Sequence, residues 1–316
     1  MKNKWILTLI FISTITSCDI KQPNITSSEV VSSSSNFTSE NSSLSVSSSI
    51  SSSNISSSSS ISSSISSSFS SSSTLTDNGS LNSYYHSIDF NLRGKDLKTR
   101  LHYLIDDAKS YSYNELPELY RQTDYGNGYI LDIYSNCKQN SFGSSYKKYK
   151  KEGDILNREH IIPQSVFYKK SPMRSDLFHV LPTDGYVNNR RSNYPHAEVS
   201  NTNFTSTNGT KVGSSKTSGV SGSVCEPADE YKGDVARIYF YFATRYEDKF
   251  SGFKSYACFA NNSYPSLSKW AINLYKKWDK EDPISQKEIK RNEAVYKLQK
   301  NRNPFVDIPN LADLIW

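Results

Sequence analysis

The stretch "NREHIIPQSVF", residues 157–167, sets Arg158, Glu159 and His160 side by side ahead of a short apolar run. Further on, "RSDLFHVLPTDGYVNNRRSNYP", residues 174–195, carries Asn188 and, three positions later, Arg191. These residue types suit one chemistry. An imidazole such as that of His160 is a general base near neutral pH. Glu159 offers an anionic oxygen and Asn188 a neutral one, the donors that a hard divalent cation takes. Positions three apart share a helix face, which puts Arg191 beside Asn188. A cation, a base and an arginine at one spot can cleave a phosphodiester. The cation offsets charge on the scissile phosphate and the leaving oxygen, and the imidazole takes a proton from water. Singly, each residue has a plainer reading: a structural histidine, a surface carboxylate, an asparagine at a helix cap, a solvated arginine.

Neighbouring elements have to bring these groups together. "LFHVL" (177–181) reads as a strand ended by Pro182. Thr183 and Asp184 are good helix caps, so "GYVNNRRSN" starts a short helix. With "REHIIP" as an earlier strand, the order is strand, connection, strand, short helix. Adjacent residues in a regular strand face opposite sides. Glu159 and His160 therefore serve one site only if the chain twists or bulges there, and Pro163 fits an irregular strand end. With an ordinary pKa, His160 would be protonated below about pH 6, and the rate would fall there.

The remaining pattern is mostly helical, with a few short strands. Leu97, Leu101, Leu104 and Ile105 recur at helical spacing in "KDLKTRLHYLI". "ELPELYRQ" reads as a shorter helix with Pro117 in its first turn. "KGDVARIYFYFATRY" (232–246) is the longest candidate, with Val235, Ile238, Tyr239 and Phe242 as its core stripe. Trp270, Leu274 and Trp278 mark another helix, and Ile289, Val295, Tyr296 and Leu298 a less regular one. "YILDIYS" (129–135) reads as a strand. Residues 199–222 are Ser, Thr, Asn and Gly with little apolar content and read as a long exposed loop. No βαβ alternation and no glycine-rich phosphate loop occurs, so the class is α+β.

The first 80 residues read differently from the rest. Lys2, Lys4 and the apolar "WILTLIFI" form an export signal over residues 1–18, too short to span a membrane as a helix. It ends in "ITSC", which resembles a bacterial lipobox. The resemblance implies cleavage before Cys18, a lipid on its sulfur and attachment to the outer face of the cell membrane. From Ser45 to Thr74 the chain is mostly serine and carries no charge. Such a stretch buries too little apolar surface to offset its chain entropy, so residues 19–80 read as a disordered tether. About 60 such residues reach roughly 40 Å. One folded domain is expected over 81–316.

The net charge of +6 sits in residues 75–316, because three lysines balance three acids over residues 1–74. This leans towards an anionic partner. Besides Cys18 there are Cys137, Cys225 and Cys258. At most one disulfide can form among them, and none shows metal-type spacing.

"NREHIIPQS" and "RSDLFHVLPTDGYVNNRRSNYP" resemble the bacterial endonuclease I family, and so do "EPADEYKGDVARIYFYFATRY" and "NRNPFVDIPNLADLIW". The four blocks occur in the family's order and cover most of residues 85–316. The resemblance implies a domain built around a ββα-metal, or His-Me finger, motif. It implies His160 as general base, and Glu159 and Asn188 as ligands of one magnesium ion, with calcium and manganese as the alternative ions. An arginine, Arg174 or Arg191, would brace the phosphate. His179 and Asn193 would support the site from behind, and Arg190, Lys232 and Arg237 are candidate DNA contacts. The implied activity is hydrolysis of DNA, often RNA too, with little sequence preference and 5′-phosphate ends. No obligate protein partner is implied. Two departures stand out: Phe178 and His179 where the family has two histidines, and Ile308 where a histidine is common. His86, His102 and His196 receive no role.

The chief rival is a catalytically inactive nucleic-acid-binding or adhesion lipoprotein on the same scaffold, against which the intact Glu159, His160 and Asn188 set argues. A metal phosphatase for small phosphoesters is a third reading, disfavoured by the basic domain and the family blocks.

Overall fold

A computed structural model describes residues 78–143 and 150–316. The leader, Cys18 and the tether up to residue 77 lie outside the described residues. The domain is α+β. Its helices are α1 (Asn78–Tyr84), α2 (Gly94–Asp106), α3 (Leu116–Thr123), α4 (Gly185–Arg191), α5 (Lys232–Arg245), α6 (Lys269–Glu281), α7 (Gln286–Gln299), α8 (Pro304–Asp307) and α9 (Leu311–Ile315). Its strands are β1 (Tyr125–Gly126), β2 (Tyr129–Ile130), β3 (Leu156–His160), β4 (Val180–Asp184), β5 (Val199–Thr205), β6 (Lys211–Ser215) and β7 (Ser223–Glu226).

Helix α5 is the centre. The stripe of Val235, Ile238, Tyr239 and Phe242 is buried, but so are Phe240, Tyr241 and Ala243 on the other sides. A helix that is apolar all round is packed all round, and α2, α6 and α8 each pack against it. Helix α7 is regular rather than broken. Ser285 and Glu288 form a reciprocal capping box at its start, which satisfies two amides that the first turn leaves free.

Two strand expectations need correction. Residues 199–222 are not a loop: β5, β6 and β7 form a three-stranded antiparallel sheet. Backbone pairing rather than apolar packing defines it, since β5 is mostly exposed. A Cβ at Gly213 would lie 2.0 Å from the Asn201 carbonyl oxygen, so only glycine lets β5 come this close to β6. Conversely, "YILDIYS" pairs only at Tyr129 and Ile130. Asp132 interrupts it. Its carboxylate accepts from the Tyr134 amide, the Thr183 hydroxyl and the Asp184 amide at 2.7–2.8 Å, tying this segment to the end of β4.

Strand β4 begins at Val180, later than expected, and Pro182 lies inside it, opposite Arg158. The Ile161 amide donates to the His179 carbonyl at 3.1 Å. Alternation from that bond makes Arg158–Pro182 a pair that exchanges no hydrogen bonds, so the missing proline N–H is not needed. Cys137, Cys225 and Cys258 are all free.

Candidate active site

Strands β3 and β4 and helix α4 build one unit. Asp184 closes β4 and caps α4, its carboxylate accepting from the Tyr186 and Val187 amides. The alternation that tolerates Pro182 also turns the carbonyls of Arg158 and His160 to the outer edge of β3. Side chains of α4 cover that edge. Asn188 Nδ2 donates to the Arg158 carbonyl at 3.2 Å. Arg191 donates to the carbonyls of His160, at 2.9 Å, and Ile161, at 2.6 Å. Asn188 and Arg191 thus share a helix face, as their spacing predicts.

Strand β3 pairs with β4 without a register shift, so the bulge that would turn Glu159 and His160 to one side is absent. Their partners are different. Glu159 is buried, and its Oε1 accepts the Tyr134 hydroxyl at 2.9 Å and lies 2.9 Å from Arg191 Nη1. Burial pushes its carboxyl up to about 7 against the pull of Arg191 and Tyr134. Tyr134 has one proton, which goes to Glu159. Its oxygen then accepts from His196 Nε2 at 2.6 Å, and His196 Nδ1 is left to accept the Tyr239 hydroxyl at 3.1 Å. The buried His196, without a role in the sequence reading, therefore backs up Glu159 through Tyr134.

His160 faces the other way. Its Nε2 lies 3.1 Å from the Arg174 carbonyl oxygen. A carbonyl only accepts, so Nε2 carries the proton and Nδ1 is the bare nitrogen. The ring stacks on Tyr113 at 5.9 Å and meets Phe167 and His179. Burial, then the neighbouring His179, lower its pKa to about 3. The imidazole stays neutral far below pH 6, which removes it as the source of an acid limb there.

The supporting residues divide. His179 is buried against Phe242 and bonded to the Met173 carbonyl. Arg174 holds His160 through its backbone, and its guanidinium carbon lies 4.7 Å from the Tyr113 ring centroid. Arg191, an expected phosphate contact, is 1% exposed, its two terminal nitrogens go to Glu159 and two carbonyls, and its Nε is buried, so it has no open face for a phosphate. Asn193 is exposed and makes no side-chain hydrogen bond among the described residues. Ser192, with φ of 54°, closes α4 instead, its amide bonded to the Asn188 carbonyl. Lys232 and Arg237 do not line a groove either: Lys232 pairs with Glu226 and Asp229, and Arg237 with Asp279 and Glu288. Arg190 is exposed and donates to the Tyr186 hydroxyl.

Sequence reasoning missed Tyr113, Tyr134 and His196. The one usable signal was Asp132, a carboxylate inside an apolar run, which marks a buried polar junction rather than a plain strand.

The donor set suits a hard cation. Glu159 Oε2 and Asn188 Oδ1 accept no side-chain hydrogen bond among the described residues. No group of three or more His, Cys, Asp or Glu gathers among those residues. The protein would thus supply two oxygens and leave the other positions to water and phosphate, which magnesium favours.

The sequence model of the Endonuclease I family matches residues 93–310. An extracellular ribonuclease of Bacillus subtilis (strain 168) is 33% identical over 246 residues, 74% of this chain and 78% of that protein. Endonuclease-1 of Buchnera aphidicola subsp. Baizongia pistaciae (strain Bp) is 25% identical over 185 residues, 53% of this chain and 67% of that protein. An extracellular deoxyribonuclease of Aeromonas hydrophila is 24% identical over 189 residues, 53% of this chain and 72% of that protein.

Proposed function

This chain belongs to the endonuclease I family, and on that premise we propose that it is an exported, magnesium-dependent endonuclease of the His-Me finger type. It hydrolyses phosphodiesters in DNA and RNA with little sequence preference and leaves 5′-phosphate ends. The names of the relatives, a ribonuclease and a deoxyribonuclease both described as extracellular, support the two substrates and the export.

The observation that carries the reading is the setting of His160. The Arg174 carbonyl fixes the proton on Nε2, and burial keeps the ring neutral. Nδ1 is then the atom that takes the proton of the attacking water. Glu159 and Asn188 would hold the magnesium ion, which when bound would offset charge on the scissile phosphate and leaving oxygen. Arg191 opposes the protonation that burial favours at Glu159 and ties α4 to β3. Arg174, whose guanidinium meets no carboxylate among the described residues, braces the phosphate. Glu159 and His160 lie on opposite sides of β3 without a bulge, and His160 is the strand's last residue, so a substrate served by both must reach around the strand's end. Contacts made to phosphates rather than bases give little sequence preference.

The test is incubation of the full-length protein with plasmid DNA and with RNA, each with magnesium or with EDTA. Cleavage in magnesium and none in EDTA is expected. No cleavage in magnesium supports the inactive scaffold, and cleavage that ignores EDTA removes the metal. We further propose a lipid anchor on Cys18. Cys18→Ser is expected to leave the membrane fraction or to stay unprocessed; unchanged fractionation and processing rules the anchor out.

A further inference from the structure

We propose that Arg158 joins Arg174 in a two-arginine clamp for the phosphates of a nucleic-acid strand, with Tyr113 as the plate that positions both. The inference rests on the nuclease reading above, which gives the phosphate to Arg174 alone, and concerns Arg158 and Tyr113, which that reading leaves without a role. Buried or nearly buried arginines elsewhere in the domain sit on carboxylates: Arg191 on Glu159, Arg237 on Glu288, Arg245 on Asp176, Arg291 on Asp124, Arg302 on Asp307. Arg158 and Arg174 are half-buried and differ from these. Neither forms an ion pair or a side-chain hydrogen bond among the described residues; the Nε of each is buried without a partner, as it is in Arg191 and Arg245, but here no carboxylate meets the rest of the guanidinium. Their guanidinium carbons lie 4.6 and 4.7 Å from the centroid of the same ring, that of Tyr113.

That arrangement is costly unless an anion completes it. Half-buried cations lose hydration, and a ring face returns only part of the loss. A stacked guanidinium keeps its edge donors free, and those donors match the oxygens of a phosphate. The plate also stacks on His160, with planes 19° apart. Tyr113 thus fixes the position of both cations relative to the base. It stands in the turn ahead of α3, far from β3 in sequence. The ring is the working part, since the Tyr113 hydroxyl makes no hydrogen bond among the described residues.

The experiment is a binding titration of a labelled DNA duplex by the full-length protein in EDTA, repeated at several salt concentrations. Each phosphate contact contributes about 0.9 to the slope of log affinity against log salt. Arg158→Ala and Arg174→Ala are each expected to reduce the slope by about one, and the double variant by about two. Tyr113→Phe keeps the wild-type slope, whereas Tyr113→Leu moves it towards that of the double variant. Thermal melting checks folding, and Arg158→Gln replaces the alanine variant if that one unfolds. A wild-type slope for folded Arg158→Ala or Arg158→Gln overturns the clamp while leaving the nuclease reading intact. A wild-type slope for Tyr113→Leu overturns the plate. Binding by the unaltered protein that ignores salt defeats the nuclease reading, and the clamp with it.

Discussion

Arg191 and Glu159 form a 2.9 Å ion pair across the seam between α4 and β3, with side chains 1% and 2% exposed. The arginine looks like a phosphate ligand in the sequence, but it is a counter-charge held inside the protein. Removing one partner of a buried pair strands the other, at about 3–5 kcal/mol. Arg191→Met is therefore expected to lose that much stability in urea unfolding at pH 7. Adding Glu159→Gln is expected to recover most of it. A single-variant loss under about 1 kcal/mol, the scale of an exposed pair, contradicts the structural role.

His160→Ala tests the base. A positioned acid–base group contributes about 10² to 10⁴ in rate, and the variant is expected to lose cleavage by that factor in single turnover. DNA binding in EDTA should stay as in the wild type, because phosphate contacts dominate it. Near-normal cleavage removes His160 from the mechanism.

Asn188→Ala and Glu159→Gln test the cation. Losing even an outer-shell partner of a metal ligand costs about 10- to 100-fold in affinity. Each variant is expected to need at least about tenfold more magnesium for half-maximal cleavage. Titrations that superpose on the wild type rule the two ligands out.

Asp176 predicts a pH dependence of stability. It is buried beneath Arg245, at 2.8 Å, and accepts from the hydroxyls of Tyr241 and Tyr246 and from Gln299 Nε2. Burial opposes the charge, but Arg245, His179, Gln299 and the Phe178 amide outweigh it and hold the carboxyl below its ordinary value. A depressed folded pKa adds stability that is complete above the unfolded value, about 3.9, and is lost as the pH falls through the folded one. Asp176→Asn should cost about 3–5 kcal/mol at pH 7. The gap between variant and wild type should narrow below about pH 4. A gap constant with pH means the carboxylate charge is not what stabilises.

The strand–strand–helix unit was legible because its signals are local. Asp184 is a helix cap in sequence and in structure, and the three-residue spacing of Asn188 and Arg191 survives folding unchanged. The long helices were legible from periodicity for the same reason. The β5–β7 sheet was not, because Ser, Thr and Asn leave no apolar alternation, and the pairing depends on Gly213 having no side chain. The partners of the site were hidden for a different cause. Tyr113, Tyr134 and His196 reach His160 and Glu159 only through tertiary packing, and nothing in their own neighbourhoods marks them. Arg191 shows the converse: its position was readable, but its role depends on burial that no spacing reports.

Three free thiols, Cys137, Cys225 and Cys258, carry a consequence for where the domain can exist. None of the described architecture hangs on a sulfur–sulfur bond, so the fold owes nothing to the redox poise of its surroundings. Burial pushes the thiols of Cys225 and Cys258 up to about 12 and about 11, which keeps them protonated and slow towards oxidants. The described fold can therefore form in a reducing or an oxidising medium without a disulfide being made.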